Sequence, residues 1–429
     1  MHDAPVISTI AVGLALACVL ALIAHRLRLP PIAGYLVAGM VIGPFTPGFV
    51  ADQEIAAQLA EVGVILLMFG VGLHFSLRDL MEVRRIAVPG AIGRIVAATA
   101  VVVGMTTVMG WTIGAGLIFG LSLSVASTVV LLRALQENDL MTSHAGRIAI
   151  GWLIVEDLVM IFALVLVPPL AGLLGGDAQP VDDGAAAVAR LGISQITATL
   201  LITTAKVVTF VALMLVVGAR VIPQILHYTA TTGQRELFRL SVLALALGVA
   251  YASAAIFGVS FALGAFFAGM VMARSRFSAQ AMKDVLPLRD AFAVLFFVSV
   301  GMIFDPSILW RAPMELAATV LVIVCIKSLV AYGIVRAFRY GGDVALVIAA
   351  ALAQVGEFSF IMIGMGVSLD IVPAEARDLV VAGALISILL NPLLFGSITR
   401  RRAAVAGPVG EAAAEAPETG EATVEKPAA

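Results

Sequence analysis

Charge and cysteine are both scarce in this chain. Only 13% of its 429 residues are charged, about half the share of an ordinary soluble domain, and the net charge is −2. No excess of basic residues therefore indicates a nucleic-acid partner. The two cysteines, Cys18 and Cys325, lie in apolar runs and are expected to pack as small hydrophobic side chains. The sequence contains no Walker motif and no dinucleotide fingerprint, so no cofactor is expected.

Apolar residues are abundant in this chain. They make up 61% of the chain and raise the mean hydropathy to +1.08, which predicts an all-α polytopic membrane protein. Thirteen segments of roughly spanning length are predicted as helices near 6–24, 31–50, 56–74, 86–110, 112–133, 147–171, 195–219, 237–256, 259–273, 288–304, 315–337, 344–367 and 378–398.

The distribution of Lys and Arg predicts the orientation of these helices. Alternate connections carry most of the Arg and Lys residues, beginning with Arg26 and Arg28 and ending with Arg400, Arg401 and Arg402. The other connections carry only Arg190, Arg311 and Arg377. Because basic residues collect in cytoplasmic loops, the N-terminus is predicted outside and the C-terminus inside the cell.

The external loop 172–194 is the longest link and predicts a seam between two halves. With a linker helix at 195–219, two six-helix repeats at about 6–171 and 237–398 would lie in opposite orientations. The transmembrane domain is predicted to cover 1–402, and 403–429, rich in Ala, Glu, Pro and Gly, to form a disordered acidic cytoplasmic tail.

Glu156 and Asp157 stand side by side in the sixth predicted helix. A carboxylate at bilayer depth costs at least about 2.5 kcal/mol, so the pair should face a wet or charge-compensated cavity. Neighbouring helical positions point about 100° apart, so one acid is expected to bind a cation while the other supports it. Oxygen ligands suit a small alkali cation, and the same carboxylate can bind a proton instead. A buried acid with only a structural partner is the competing interpretation.

Lys327, in the middle of the eleventh helix, needs a counter-ion, and Glu156 or Asp157 is the predicted partner. A purely structural ion pair is the alternative. Arg94 and Lys206 lie nearer to the ends of their predicted helices, so their side chains are expected to reach toward the membrane surface.

Polar residues interrupt the fifth and twelfth helices, the fifth helix of each half. They are Ser124, Ser127 and Thr128 in one, and Gln354, Gly356 and Glu357 in the other. This correspondence predicts two discontinuous helices that share a transport site, although single Ser and Thr residues in membrane helices often bond only to their own backbone. Glu357 needs a partner, and Arg133 or Arg147 is the candidate.

Several motifs together resemble the monovalent cation:proton antiporter-2 family, which includes bacterial Na⁺/H⁺ antiporters and Kef-type K⁺/H⁺ antiporters, over roughly residues 5–400. The motifs are Arg28–Pro44, Leu59–Phe69, Ser127–Val130, Glu156–Asp157, Phe296–Met302 and Gln354–Phe358.

The resemblance implies a core domain with crossed helices 5 and 12, a dimerisation domain, elevator-like alternating access and a homodimer. It implies that Asp157 binds the cation or the proton, that Lys327 pairs with the acid of helix 6, and that Ser127, Thr128, Gln354 and Glu357 form the crossover. Two features depart from the family pattern. Glu156 stands where other members have Asp, Asn or Gln, and gating by a C-terminal nucleotide-binding domain is not expected from this polypeptide.

The main hypothesis is therefore proton-coupled exchange of K⁺ or Na⁺ across a lipid membrane, with Asp157 as the monovalent cation ligand. A K⁺-selective, gated channel-like pathway is the alternative, but the chain lacks a Thr-Val-Gly-Tyr-Gly filter. An intramembrane aspartyl protease would need two acids from separate helices, so no enzymatic activity is expected.

Overall fold

The structure is a computed structural model that describes residues 5–27, 29–74, 77–141, 143–177 and 195–406. Every regular element in these ranges is helical, and the elements form thirteen segments, α1 to α13, besides two short helices at Ala171–Leu174 and Ile308–Arg311. The first seven are α1 (Pro5–Arg26), α2 (Pro31–Ile42), α3 (Gln53–His74), α4 (Leu77–Val108), α5a and α5b (Ile113–Ser124 and Thr128–Glu137), α6 (His144–Leu170) and α7 (Gln195–Leu213, continued by Ala219–Thr231). The remaining six are α8 (Arg235–Phe257), α9 (Phe261–Ala273), α10 (Ser278–Ile303), α11 (Pro313–Leu321 and Lys327–Ala337), α12a and α12b (Gly342–Ala351 and Glu357–Ser368) and α13 (Ala374–Ala406).

The predicted helix order is confirmed. Among the described residues, nine helices are long and apolar enough to cross a membrane, and α2, α5a, α9, α12a and α12b are shorter apolar helices. The boundaries differ at several places. Helix α4 begins at Leu77 rather than near 86, and α7 continues to Thr231 through a π-helical turn at Met214–Gly218. Helix α13 ends at Ala406, so 403–406 are helical where a disordered tail was predicted, and 407–429 lie outside the described residues.

The helices pack as two bundles. The scaffold bundle contains α1–α3 and α7–α10, and the site bundle contains α4–α6 and α11–α13. Matching pairs recur in the two halves of the chain: α1 packs on α2 as α8 packs on α9, and α4 packs on α5a and α6 as α11 packs on α12a and α13. This pairing is what two six-helix repeats predict, whereas their exact limits remain a prediction.

Glycines bring the helices of the scaffold bundle unusually close together. A Cβ atom on Gly72 of α3 would lie 2.2 Å from the Phe266 carbonyl oxygen of α9, and one on Gly269 of α9 would lie 2.2 Å from the Phe69 oxygen of α3. Gly39 and Gly301 pack α2 against α10 in the same reciprocal way. Gly39, Gly72 and Gly269 therefore permit close helix packing, because any larger side chain would push the backbones apart.

Candidate cation site at the helix crossover

Two helices of the site bundle break and cross at the same point. Helix α5a ends at Ser124 and α5b begins at Thr128, while α12a ends at Ala351 and α12b begins at Glu357. The Gly356 N–H donates to the Val125 carbonyl at 3.2 Å. A Cβ atom on Gly356 would lie only 2.6 Å from the Ala126 oxygen, so the crossing requires glycine there. The predicted crossing of discontinuous helices 5 and 12 is confirmed.

Gln354 replaces the backbone partners that the break in α5 removes. Its side-chain oxygen accepts from the Ser127 N–H at 2.7 Å, and its amide nitrogen donates to the Ser127 carbonyl at 3.0 Å. The Ser127 hydroxyl in turn accepts from the Val130 N–H at 3.3 Å and caps α5b. These bonds satisfy backbone groups that could find no water inside a membrane.

Two cations neutralise the carbonyl ends of the broken helices. Arg94 of α4 donates to the Ser124 oxygen at 3.0 Å and to the Leu352 oxygen at 3.2 Å. Lys327 of α11 donates to the Gln354 oxygen at 3.0 Å and to the Val125 oxygen at 3.4 Å. Each cation thus bridges both breaks, where the helix dipoles place partial negative charge.

Arg94 also holds Glu156. Its Nε donates to Glu156 Oε1 at 2.8 Å, a second guanidinium nitrogen forms a short contact with the same oxygen, and the Ala126 N–H donates to Oε2 at 3.3 Å. Both side chains are 0% exposed. The expectation that Arg94 reaches the membrane surface was wrong, because α4 begins earlier than predicted and places Arg94 well inside the helix.

The predicted ion pair of Lys327 with an acid of helix 6 was also wrong. Within the described part of the chain, neither Glu156 nor Asp157 forms an ion pair with the Lys327 ammonium. The guanidinium of Arg94 carries several donors in a fixed geometry and forms the ion pair with Glu156. The single ammonium group of Lys327 donates its hydrogen bonds to backbone carbonyls instead. The sequence alone does not show that these carbonyls compete with the carboxylates for Lys327.

Asp157 lies on a different face of α6 from Glu156 and is differently bonded. The Thr128 hydroxyl, at the start of α5b, donates to Asp157 Oδ2 at 3.2 Å. The other oxygen, Oδ1, has no hydrogen-bond partner among the described residues, although the residue is only 6% exposed. A buried carboxylate oxygen without a partner is costly unless a proton or a cation occupies it.

Glu357 is the first residue of α12b and is 4% exposed. The Ser127 side chain lies beside its carboxyl group, and Arg289 of α10 is close enough to interact with it electrostatically. Of the two predicted partners, Arg147 is exposed whereas Glu357 is buried, and the Arg133 side chain lies outside the described residues. The predicted site residues Ser127, Thr128, Asp157, Gln354 and Glu357 therefore all meet at one crossover.

Residues 13–401 match the family model described as sodium/hydrogen exchanger, transmembrane. The chain belongs to the sodium/hydrogen exchanger family. The resemblance to monovalent cation:proton antiporters seen in the motifs is thereby confirmed.

This family member has relatives that are named as transporters. It is 54% identical over 399 residues to the putative cation/proton antiporter YbaL of Escherichia coli K12, covering 93% of this chain and 69% of that protein. It is 30% identical over 368 residues to K(+) efflux antiporter 4 of Arabidopsis thaliana, covering 85% of this chain and 59% of that one. An uncharacterized protein in the phaC 3' region of Methylorubrum extorquens is 59% identical over 284 residues, which cover 65% of this chain and 99% of the relative.

The fold also matches a solved structure. The sodium proton antiporter MjNhaP1 from Methanocaldococcus jannaschii at pH 8 superposes with a TM-score of 0.62, covering 92% of this chain and 98% of that chain. The sequence identity is only 16%, so the match concerns the fold alone.

The net charge of the buried side chains at this site would be balanced by a single positive charge. The described residues of the crossover region include three buried acids, Glu156, Asp157 and Glu357, and two buried cations, Arg94 and Lys327. With all five ionised, one negative charge is left over. One monovalent cation or one proton would neutralise it, and the oxygen ligands are of the kind that alkali cations prefer.

Sequence reasoning missed two buried polar contacts. Arg94 was the first, and Asn391 of α13, which donates to the Ala350 carbonyl of α12a at 3.0 Å, was the second. The repeat itself carried a signal for Arg94, because the fourth helix of the first half corresponds to the eleventh helix, where Lys327 was recognised.

Proposed function

We propose that this protein is a secondary active antiporter that exchanges K⁺ or Na⁺ for protons, with cation and proton competing at Asp157. The observation that carries the proposal is the contrast between the two acids of α6. Glu156 has both oxygens bonded, to Arg94 and to Ala126, whereas Asp157 Oδ1 is buried and unpaired among the described residues. Of the two acids of α6, only Asp157 therefore has an oxygen available to an arriving cation or proton.

Alternating access is proposed to move the site bundle against the scaffold bundle. The hydrogen bonds around the crossover connect α4, α5, α6, α11 and α12, all within the site bundle. The two bundles meet mainly where α6 packs on α7 and α9 and where α13 packs on α2. A site whose hydrogen bonds all lie within one bundle can be carried by that bundle without breaking them.

The setting of this exchange is also a proposal. The family and its Escherichia coli relative support a bacterial inner membrane location. The Lys and Arg clusters support an N-terminus outside and a C-terminus in the cytoplasm. The exposed apolar side chains of the scaffold bundle would meet lipid and, in a homodimer, a second copy. Cysteine-accessibility labelling of loop positions in intact cells tests the orientation, and mass measurement of the detergent-solubilised protein tests the dimer.

The proposed exchange is tested in proteoliposomes that hold a proton gradient and a pH-sensitive dye. Addition of K⁺, Na⁺ or Li⁺ should dissipate the gradient with the wild-type protein, and Asp157→Asn should abolish the response to every cation. Asp343→Asn is the matched control, because Asp343 is an exposed acid at the start of α12a, away from the crossover. Exchange by Asp157→Asn at the wild-type rate would refute the assignment.

The same preparation separates exchange from a channel-like pathway. An antiporter should drive proton movement with a cation gradient even when the membrane potential is clamped with an ionophore. A gated K⁺ pathway would instead carry K⁺ current under a potential and leave the internal pH unchanged. Comparison of the three cations also decides between K⁺ and Na⁺, since the relatives' names include both ions.

A further inference from the structure

Two carboxyl oxygens at the crossover are buried without partners. Asp157 Oδ1 and Glu357 Oε2 both lack a hydrogen-bond partner among the described residues, and both side chains are more than nine-tenths buried. Native structures leave few buried polar atoms unsatisfied, and each one requires an explanation such as an ion or a water molecule. Two such oxygens of the same charge in one region point to a shared positive ligand.

Consecutive residues hold the two acids. Thr128 donates its hydroxyl to Asp157, and the side chain of Ser127 lies beside the Glu357 carboxyl. The two carboxyl groups are close enough to interact electrostatically. The second oxygen of Asp157 is occupied by Thr128, and Glu357 receives a bond from its own backbone N–H. Each acid therefore keeps one oxygen free.

None of the neighbouring cations of the described chain neutralises this pair directly. Arg94 is bonded to Glu156 and to two carbonyls, and Lys327 is bonded to two carbonyls. Arg289 acts on Glu357 from the scaffold bundle, but its guanidinium donates to Asp290 at 2.7 and 3.0 Å. The repulsion between Asp157 and Glu357 is thus left for a mobile cation to relieve.

We propose that Glu357 is a second ligand of the transported monovalent cation, which binds between Asp157 Oδ1 and Glu357 Oε2. This inference rests on the proposed antiport function and adds a binding residue from the second half of the chain. Carboxylate oxygens are hard ligands, and the affinity of such sites rises with the number of charged ligands. The cation would then join α6 to α12b, whereas a proton needs only Asp157.

Loss of the Glu357 ligand should weaken the affinity for the cation much more than it slows turnover. In proteoliposomes, Glu357→Gln should raise the cation KM by about tenfold or more, as expected when one of two charged ligands becomes neutral, while kcat stays within about threefold. Glu357→Asp, which keeps the charge, should restore part of the affinity. Glu236→Gln, an exposed acid at the start of α8, is the matched control and should keep the wild-type KM.

A binding measurement without turnover makes the test independent of rate. The thermal midpoint of the wild-type protein in detergent should rise when choline is replaced by the transported cation, because a ligand that binds the folded state stabilises it. Glu357→Gln should show a much smaller rise. If Glu357→Gln does not fold, Glu357→Asp serves in both assays, with an intermediate KM and an intermediate thermal shift expected.

A wild-type KM and thermal shift in the Glu357 variants would overturn the proposal, as would a loss of kcat with unchanged KM, which indicates a purely structural role. These results leave the proposed function standing, because the wild type still exchanges. Absence of any exchange by the wild type would instead refute the proposed function.

Discussion

Arg94 and Lys327 bind the two helix breaks in the same way, from opposite halves of the chain. Each donates one hydrogen bond to a carbonyl in the α5 break and one to a carbonyl in the α12 break. Arg94 lies on α4 and Lys327 on α11, which take the same place in the two sets of helix contacts. The crossover is therefore held by one buried cation from each half, and only Arg94 also binds an acid.

Arg94→Leu should destabilise the protein severely. It leaves Glu156 as a buried charge without its partner and leaves two carbonyls without donors. Removal of one partner from a buried ion pair typically costs about 3–5 kcal/mol in the free energy of unfolding. The thermal midpoint and the yield of monodisperse protein in detergent measure the effect.

A double variant separates the two roles of Arg94. Arg94→Leu combined with Glu156→Leu removes the stranded charge but not the unpaired carbonyls, so it should recover only part of the lost stability. Full recovery would show that Arg94 serves Glu156 alone and would contradict its role at the helix ends. Arg94→Lys should be intermediate, because one ammonium group cannot supply the same set of donors.

Lys327→Gln should cost less stability than Arg94→Gln. The substitution at Lys327 strands no carboxylate, and a glutamine amide can still donate to a carbonyl such as that of Gln354. Side-by-side thermal unfolding of the two variants in the same detergent measures the difference. Equal losses would indicate that Lys327 balances an acid after all.

Gly356→Ala should disrupt the crossover although alanine is small. The added Cβ would meet backbone atoms of Ala126, which cannot rotate away as a side chain can. A cost of roughly 1–3 kcal/mol is expected for such overpacking, together with a loss of exchange. Gly364→Ala in α12b is the matched control, because its Cβ would meet nothing within 4 Å and alanine favours the helix. Similar stability of both variants would argue against a tight crossing.

The link between α10 and α11 should stabilise the protein in a pH-dependent way. Partial burial opposes ionisation of Asp305, but the hydrogen bonds from Ser307 and the charge of Arg311 outweigh it, so the pKa of Asp305 lies below its ordinary value. The folded state binds the proton more weakly than the unfolded state. The stabilisation is therefore complete above the unfolded pKa of about 4 and is lost as the pH falls through the lower folded pKa.

Asp305→Asn tests this dependence. The variant should have a lower thermal midpoint than wild type at pH 7, and the gap should close at pH values below the folded pKa. The gap is measured by comparing the two proteins at each pH, so that other acid effects cancel. A gap that stays constant down to low pH would show that the charge of Asp305 contributes nothing.

Much of the site could be recognised in the sequence because improbable residues mark it. A charged or strongly polar side chain inside an apolar helix is costly, and this cost alone singles out Asp157, Glu357 and Lys327 along the chain. The breaks in α5 and α12 could be predicted because polar interruptions recur at the same place in both halves, and the family resemblance implied that the two helices cross. The role of Arg94 was not predicted, because the start of α4 was predicted near 86, nine residues later than Leu77. This error placed Arg94 near a membrane surface.

The sequence by itself determined that the chain is a membrane protein of thirteen helices with buried acids in the sixth and twelfth. Hydropathy and loop charge are local properties, so they can be read along the chain without knowing which helices touch. Only the tertiary structure decided which charges meet. Backbone carbonyls freed by the two breaks compete with the carboxylates for Lys327, and their position depends on how α5 and α12 cross. As a result, Glu156 forms its ion pair with Arg94, and one oxygen of Asp157 has no hydrogen-bond partner among the described residues.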